Sequence, residues 1–411
     1  MLIWREIALK KGRNLPLITI HNQQIFLNLI RTSKQGISRT EIAKLLELSS
    51  QTISNLARKF IDLGLVREFG KQKSSGGKPR ILLQIVYDAR HVVGIHLDPA
   101  EITYVLLDLE GQVISNLKTL TPKFGEPMDF IKIIVDSVKT LLANSGVDPQ
   151  SVLGVGIASP GPIDHEKGVI RYAPHLKQLN DFPLRDQLEH ALGLPIFLQK
   201  DVLAALTAER WFLTTHDPDN FIFFYYGTGI GVGIVNDGQI VNGQTRNAGD
   251  IEHILVSENG ILCQCGRRGC WGVEVRPEQI VSRAVKEKIL VVSSKSQKSV
   301  SLMKDLEALV AAERGGDKKA IALLKDVSQE MANGLLALTN LQDIDTVIFG
   351  GPFWHLLADS LMRYMPDFVQ NDAARMLINP PQLSTSDFGL DVVAVGAGCF
   401  VLEEGYARAF A

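Results

Sequence analysis

AGDIEHILVSENGILCQCGRRGCWG, residues 248–272, holds three of the four cysteines in the chain, Cys263, Cys265 and Cys270, with His253 upstream of them. The spacing is H-x9-C-x-C-x4-C, and Gly260, Gly266, Gly269 and Gly272 are interleaved. Zn²⁺ takes four N/S ligands as a tetrahedron, and three cysteines with one histidine is one of its structural sets. Glycines let the backbone turn tightly enough for closely spaced thiolates to converge on one ion. Arg267 and Arg268 lie between the thiolates and can offset the charge of a three-thiolate site. The stretch therefore predicts a zinc site made of His253, Cys263, Cys265 and Cys270. The plainer alternative is buried cysteines beside a surface histidine, but three cysteines within eight residues are dense for a 411-residue chain.

Outside this stretch, the length allows two or three domains. A composition 45% hydrophobic and 21% charged fits a globular protein rather than a disordered one. No apolar run approaches the roughly 18–20 residues that span a membrane, and the first residues lack the pattern of an export signal. Cysteines are few, and Cys399, the one outside the cluster, reads as a core residue. A reducing, cytoplasmic location is expected.

The charge is uneven. Residues 1–80 hold 15 Lys/Arg against 5 Asp/Glu, and the remainder 28 against 40. A basic segment on an acidic body suggests a nucleic-acid module joined to something else; a basic tail without a partner is the alternative. Residues 21–32 place apolar side chains at 25, 26, 29 and 30, a helical spacing broken by Gly36. Ser38 with Glu41 three residues on is a capping box. It opens a helix over 39–46 that should bury Ile42, Ala43, Leu45 and Leu46. A short turn follows, and Ser49 or Ser50 caps a helix ending at Gly64 with Ile53, Leu56, Ala57 and Phe60 facing inward. A strand at 65–69, a basic Gly/Lys loop at 70–80 and a returning strand at 81–86 complete a winged helix-turn-helix. In such motifs the second helix enters the major groove and the wing reaches backbone or minor groove. The expected DNA-contacting residues are Arg39, Ser49, Ser50, Gln51, Thr52, Ser54, Asn55, Arg58 and Lys59, with Lys73, Lys78 and Arg80 on the wing. A small helical module used for protein contacts is the competing reading.

From residue 89 the chain alternates strands and helices. HVVGIHLDPA (91–100), ITYVLLDLEGQVI (102–114) and LKTLTP (117–122) read as strands, 130–143 as a helix and 152–157 as a buried strand. A second set begins at FIFFYYGTGIGVGIVNDGQIV (221–241). The two openings resemble each other as strand–turn–strand units, which suggests two α/β lobes around a cleft. The domain division is 1–88 and 89–411.

SPGPID (159–164), KD (200–201), GTGIGVGIV (227–235), AGDIEH (248–253), CQCGRRGC (263–270), FGGP (349–352) and the GGKPR wing (76–80) together resemble the ROK family (repressor, open reading frame, kinase), in its Mlc and NagC-type repressor branch. The resemblance covers nearly the whole chain, and the cysteine cluster with its histidine is its most specific part. It implies a two-lobed α/β actin-like (ribonuclease H-like, sugar-kinase) body, a sugar in the cleft, zinc beside it and a dimer or tetramer.

Two departures from the family's kinases bear on activity. Their first phosphate loop resembles G-I-D-I-G-G-T, and the run here is Gly94-Ile95-His96-Leu97-Asp98-Pro99-Ala100. His96 replaces the aspartate near Mg²⁺, Pro99 has no N–H to give phosphate, and the Asp98 carboxylate repels it. The second loop, Gly227-Thr228-Gly229-Ile230-Gly231, is intact, and the base position is kept as Asp201, a vestige without a place for ATP. The sugar-site patterns P-N-L, N-D and G-E-x-G-H read Pro174-His175-Leu176, Lys200-Asp201 and Gly249-Asp250-Ile251-Glu252-His253. The glutamate of G-C-L-E is Gly272, with Glu274 two further on. The expected effector set is His175, Lys200, Asp201, Asp250 and His253, with the two cationic residues favouring an acidic sugar unless Lys200 is spent on Asp201 or Asp250.

The expectation is a non-enzymatic, sugar-responsive repressor on a double-stranded operator. The alternatives are a sugar kinase with a DNA-binding appendage, and a repressor sequestered by a transporter-type protein with a vestigial pocket.

Overall fold

A computed structural model describes residues 15–72, 79–122, 125–173, 176–213, 218–291, 298–370 and 375–408. The N-terminal unit comprises α1 (Leu15–Thr32), β1 (Ile37–Ser38), α2 (Arg39–Leu45), α3 (Ser50–Asp62), β2 (Val66–Gln72) and β3 (Arg80–Ile85). Its three strands form an antiparallel sheet of order β1-β3-β2. Helix α1 begins earlier than its periodicity indicates, because Pro16 is compatible with a first turn. The capping box forms: Ser38 Oγ accepts from Glu41 N–H, and Glu41 Oε2 accepts from Ser38 N–H at 3.0 Å. Ser49 caps α3 through Thr52 N–H, and Ile53, Leu56, Ala57 and Phe60 are buried, with Phe60 stacked on Phe26 at 5.7 Å.

Two local expectations are corrected. Leu45 is 62% exposed, not buried. A two-turn helix buries one strip, which Ile42 leads with Ala43 and Leu46 partly covered; Leu45 lies about 110° off that strip. The wing strands also run further than the glycines suggested, through Gln72 and again from Arg80. Gly70 does not end β2 but sits in a bulge between Phe69 and Lys71 with φ 65°. Lys73 and Lys78 fall outside the described residues.

The first lobe contains β4 (His91–Leu97), β5 (Glu101–Leu107), β6 (Val113–Leu120), α4 (Pro127–Ser145), β7 (Val152–Ser159), the short pair β8 (Ile163–Asp164) and β9 (Val169–Ile170), α5 (Leu184–Leu192), β10 (Ile196–Lys200) and α6 (Asp201–Phe212). The second contains β11 (Phe221–Tyr226), β12 (Ile230–Asn236), β13 (Gln239–Ile240), α7 (Trp271–Val275), α8 (Pro277–Lys286), α9 (Lys298–Arg314), α10 (Lys318–Gln342), β14 (Thr346–Gly350), α11 (Trp354–Gln370), β15 (Gln382–Thr385) and α12 (Val392–Arg408). The sheets are ordered β6-β5-β4-β7-β10 and β13-β12-β11-β14-β15. In each, the first three strands form an antiparallel meander and the last two run parallel to the first. The duplication legible in the two strand–turn–strand openings is thus a repeated five-stranded topology.

Helices α6 and α12 lie between the sheets. Their residues share one core with Val92, Val105 and Leu107 of the first sheet and Phe221, Phe223 and Val235 of the second. The outer faces are covered by α4 and α5 on one side and α7 to α11 on the other. Close approach at the centre depends on missing side chains. A Cβ on Gly156 would lie 1.9 Å from the Ala397 carbonyl, and one on Gly396 1.7 Å from that of Ala204. The α1 core belongs to the same cluster, so the N-terminal unit packs continuously on the body. Among the described residues no helix is long and apolar enough to cross a membrane.

Candidate functional site

Ligand atoms of His253, Cys263, Cys265 and Cys270 lie within 4.8 Å of one another. Cys263 Sγ is 3.5 Å from His253 Nδ1, and Cys265 Sγ is 3.5 Å from Cys270 Sγ, with all three thiols free. A tetrahedron with Zn–S bonds of about 2.3 Å has edges of about 3.8 Å, so the donor set is the right size for one ion. The backbone accounts for the convergence. Cys263 N–H donates to Arg267 O and Gly266 N–H to Cys263 O, at 2.8 and 3.0 Å. Gly269 has φ 72°, and a Cβ there would lie 1.7 Å from Ser257 O, so this turn requires glycine. The Arg267 N–H and side chain draw the Cys265 thiol down to about 6, while burial pushes Cys270 up to about 11. Arg267 thus lies beside the Cys265 thiol, whereas Arg268 reaches the Gly260 carbonyl.

The loop is fastened to the second lobe from both ends. Trp271, fully buried, packs on Phe224 at 5.3 Å, and Gly272 N–H donates to Glu252 O at 2.8 Å. Glu274, 3% exposed, accepts from Ile261 N–H at 2.6 Å. The glutamate two positions beyond the expected place is therefore a brace for the cysteine loop.

Lys200 and Asp201 stand where β10 passes into α6. Asp201 Oδ1 accepts from Val202 N–H at 2.7 Å. Burial raises its carboxyl to about 6, against the pull of Lys200 and that N–H. Lys200 is buried, with Nζ 3.4 Å from Asp250 Oδ2, while Asp250 is largely exposed. The ammonium faces Asp250 but makes no hydrogen bond to it among the described residues. His253 is turned to the cysteine cluster, and His175 falls outside the described residues.

The two glycine-loop regions differ from phosphate cradles in ways the sequence only half disclosed. Asp98 Oδ1 accepts from Ala100 N–H at 2.8 Å, closing the β4–β5 turn on its own carboxylate. Lys118 bridges Glu101 and Asp391 at 2.9 and 3.1 Å beside it. Burial lowers the pKa of His96, which favours the neutral ring. At the second loop, a Cβ on Gly229 would lie 2.5 Å from Glu252 Oε1, and Glu252 is held by Arg276 at 2.5 Å. The Tyr225 ring packs against Gly227, its hydroxyl pushed well up by burial and by the carboxylates of Asp201 and Asp98.

On α3 the expected DNA face is outward: Ser49, Ser50, Gln51, Asn55 and Arg58 are exposed, and Thr52, Ser54 and Lys59 partly so. Gln51 Nε2 donates to Asn55 Oδ1 at 3.0 Å, a pair that presents amide edges together. Arg39 pairs with Glu68 at 2.8 Å and Arg80 with Glu41 at 3.9 Å. Exposed pairs of this kind contribute about 0–1 kcal/mol, too little to withhold a guanidinium from phosphate.

The ROK family model matches residues 92–404. The chain belongs to the ROK family. It is 30% identical over 333 residues to a xylose repressor of Caldicellulosiruptor bescii, covering 80% of this chain and 82% of that one. It is 26% identical over 326 residues to the DNA-binding transcriptional dual regulator NagC of Escherichia coli, covering 77% and 76%. Among solved structures, a ROK family transcriptional regulator, homologue of the E. coli MLC protein, superposes with a TM-score of 0.77 at 23% identity, covering 96% of this chain and 98% of that one. That likeness carries the two-sheet, actin-like α/β fold. ROK-family kinases share the body of the fold as well.

Sequence reading missed Glu252, Arg276 and Tyr225. Glu252 had a signal, because it stands at the glycine of the ROK pattern G-E-x-G-H. Tyr225 and Arg276 had none, being an aromatic in an apolar strand and an arginine before a helix.

Proposed function

We propose that this ROK protein is a sugar-responsive, DNA-binding transcriptional repressor. Residues 1–88 act as a winged helix-turn-helix and residues 89–411 as the effector-binding and assembly body. The observation that carries the reading is the pairing of an outward polar α3 face with a body whose phosphate loops are occupied by its own groups. The Gln51–Asn55 pair suits base edges, and Arg58, Lys59, Arg39, Arg80, Lys73 and Lys78 suit phosphates. A dimer or tetramer would match a near-palindromic operator.

Asp98, Pro99 and Glu252 put carboxylate and imino-acid chemistry where a nucleotide would need N–H donors, which supports a binding protein rather than a kinase. Asp201 is then a sugar-hydroxyl acceptor alongside Asp250, with Lys200 as a donor to sugar oxygens and His253 and His175 beside them. Because Lys200 faces Asp250 without a hydrogen bond between them, the cleft holds opposite charges side by side with donors to spare, and a neutral sugar fits it better than the acidic one that Lys200 and His175 suggested.

Zn²⁺ fits His253, Cys263, Cys265 and Cys270 by donor chemistry and spacing. Bound there, it supplies structural cross-linking. The Gly272–Glu252 backbone bond ties the segment that carries Asp250 and His253 to the end of the cysteine loop.

Helix α6 offers a route from cleft to DNA. Asp201 starts it, and at its far end Arg31 of α1 lies over the Trp211 ring at 3.9 Å. Arg210 pairs with Glu403 of α12, whose carbonyl accepts from Gln24 of α1 at 2.9 Å. A sugar that favours one lobe arrangement shifts α1 through these contacts, and operator affinity falls by the difference in its affinity for the two states.

The test is operator binding by the full chain, titrated with D-xylose, N-acetylglucosamine and their phosphates, beside an ATP-turnover assay with the same sugars. Loss of operator binding on adding a sugar, without turnover, is the expected result. Catalytic turnover would overturn the reading in favour of a kinase with a DNA-binding appendage. Specific operator binding unresponsive to every sugar would favour control by a transporter-type protein partner.

A further inference from the structure

A cavity of about 1030 Å³ lies at the outer edge of the first sheet, away from the Lys200–Asp201 cleft. Its floor is the start of β10 with α12. Ile196 and Leu198 are buried there, and Phe197 meets Phe400 edge to face at 6.3 Å. Lys200 is the last residue of the same strand, so at roughly 3.3 Å per residue the two sites lie about 10 Å apart along it. One wall is the β8–β9 hairpin and another is the loop carrying Arg246. Asn247 clamps these walls together, accepting from Ile163 N–H at 2.6 Å and donating to Ile163 O at 2.8 Å.

The charges on the walls are unequally committed. Arg171 pairs with Asp164 and Asp181, at 3.4 and 2.9 Å. Arg185 pairs with Asp186 and donates to the carbonyls of His165 and Glu166. Glu189 accepts from Ile196 N–H. Arg246 is exposed and has no side-chain partner among the described residues. Its backbone is left-handed at φ 58°. A non-glycine residue held there persists where its surroundings over-determine it, here the Asn247 clamp. Beside it His165 Nε2 is buried without a hydrogen-bond partner. Burial also lowers the pKa of that ring, favouring the uncharged form.

We propose that this cavity is a second small-molecule site, taking an anion-bearing sugar whose carboxylate or phosphate meets Arg246 and whose ring lies against Phe197 and Phe400. Apolar floors with a few convergent polar groups are how ligand sites are built, and volumes of about 300–1,000 Å³ are usual. An uncommitted guanidinium suits an anion, and the unpartnered His165 Nε2 is a polar contact for a sugar hydroxyl. Of the acidic residues on the walls, Asp164 and Asp186 pair with arginines and Glu189 accepts from a backbone N–H. The ligand would touch Phe400 and Glu404, the α12 turn that also carries Glu403 to α1.

The experiment is calorimetry on the full chain with glucose 6-phosphate, glucuronate, glucose and inorganic phosphate. Two variants relieve or tolerate the left-handed backbone while removing the charge, Arg246→Asn and Arg246→Gly, and Lys200→Asn tests the interlobe cleft. The expected result is binding of at least one of the two anionic sugars, weakened tenfold or more in both Arg246 variants and unchanged in Lys200→Asn. Which sugar binds distinguishes phosphate from carboxylate. The proposal is overturned by binding that is lost in Lys200→Asn but kept in the Arg246 variants. It is equally overturned by inorganic phosphate binding as tightly as either sugar, or by neither anionic sugar binding.

Discussion

Replacing Asp201 by asparagine should stabilise the protein and cost it its effector. Burial raises the Asp201 carboxyl from 3.8 to about 6. Each pKa unit corresponds to about 1.36 kcal/mol, so keeping this carboxylate ionised above pH 6 costs the native state up to about 3 kcal/mol. Between pH 4 and 6 the folded chain binds more protons at this position than the unfolded one. Its stability contribution therefore declines as pH rises through that window and stays low above it. Asparagine retains an oxygen for Val202 N–H and cannot ionise. Lys200 loses a neighbouring charge but keeps Asp250 at 3.4 Å, which trims the gain to about 1–3 kcal/mol at pH 8. Urea unfolding of both proteins at pH 5, 6, 7 and 8, at one ionic strength, measures the difference. The variant should pull ahead as pH rises, while sugar binding falls in the same preparation, a stability–function trade-off. A difference that does not change with pH, or a variant less stable at pH 8, would refute the reasoning.

Protein purified without added zinc should contain about one Zn²⁺ per chain, and Cys265→Ser should lower metal content and melting temperature together; a metal-free wild type of equal stability would sink the structural role. Arg58→Ala should weaken binding to all DNA and flatten its salt dependence, whereas Gln51→Ala or Asn55→Ala should change which operator bases matter, as footprinting on base-substituted operators would reveal. Gly156→Ala, which sets a methyl 1.9 Å from the Ala397 carbonyl, should destabilise by about 3 kcal/mol or more; a loss under 1 kcal/mol in urea titration would mean that α12 is not clamped to the first sheet.

How much of this was legible depended on whether a residue's role is local. The capping box, the inward face of α3 and the cysteine cluster were, because each is set by spacing along the chain. The repeated strand–turn–strand openings foretold the lobes, since a meander is built from consecutive residues. The parallel strands β7, β10, β14 and β15 and the two central helices depend on crossovers, and their pairing leaves no mark in composition. Leu45 was misjudged because an apolar residue beside a short buried strip looks the same in sequence as one within it. For Lys200 the sequence offered both a free cation and a pair with Asp201 or Asp250, and could not choose, because Asp250 reaches it from a loop 50 residues away.

The glycines separate what this fold needs from what phosphate transfer needs. Gly94 is kept where kinases of the family have glycine, and a Cβ there would lie 2.0 Å from the Ala394 carbonyl. Gly249, with φ 106°, would place a Cβ 2.1 Å from the Val232 carbonyl, and it too is kept. Both let a strand or loop touch its neighbour, so a repressor and a kinase require them alike. The glycines whose part is to bring N–H groups to a phosphate are the ones replaced, by Asp98 and Pro99, and Asp98 closes its turn on Ala100. Gly229 survives in the second loop, but against it stands the Glu252 carboxylate, itself at a position where the family pattern has glycine and secured by Arg276. The replaced positions are thus those of the phosphate loop and of one sugar-site glycine, and the two glycines kept are ones that packing requires. That distribution fits our proposal of a sugar-kinase fold that binds without transferring phosphate. It leads to a specific expectation. Glu252→Gly should leave operator binding and unfolding midpoint within about 1 kcal/mol of wild type, since the group it removes is exposed in part and its ion pair with Arg276 is worth little. A collapse of stability in that variant would show the carboxylate to be a structural pillar, and the argument from replaced glycines would lose its second loop.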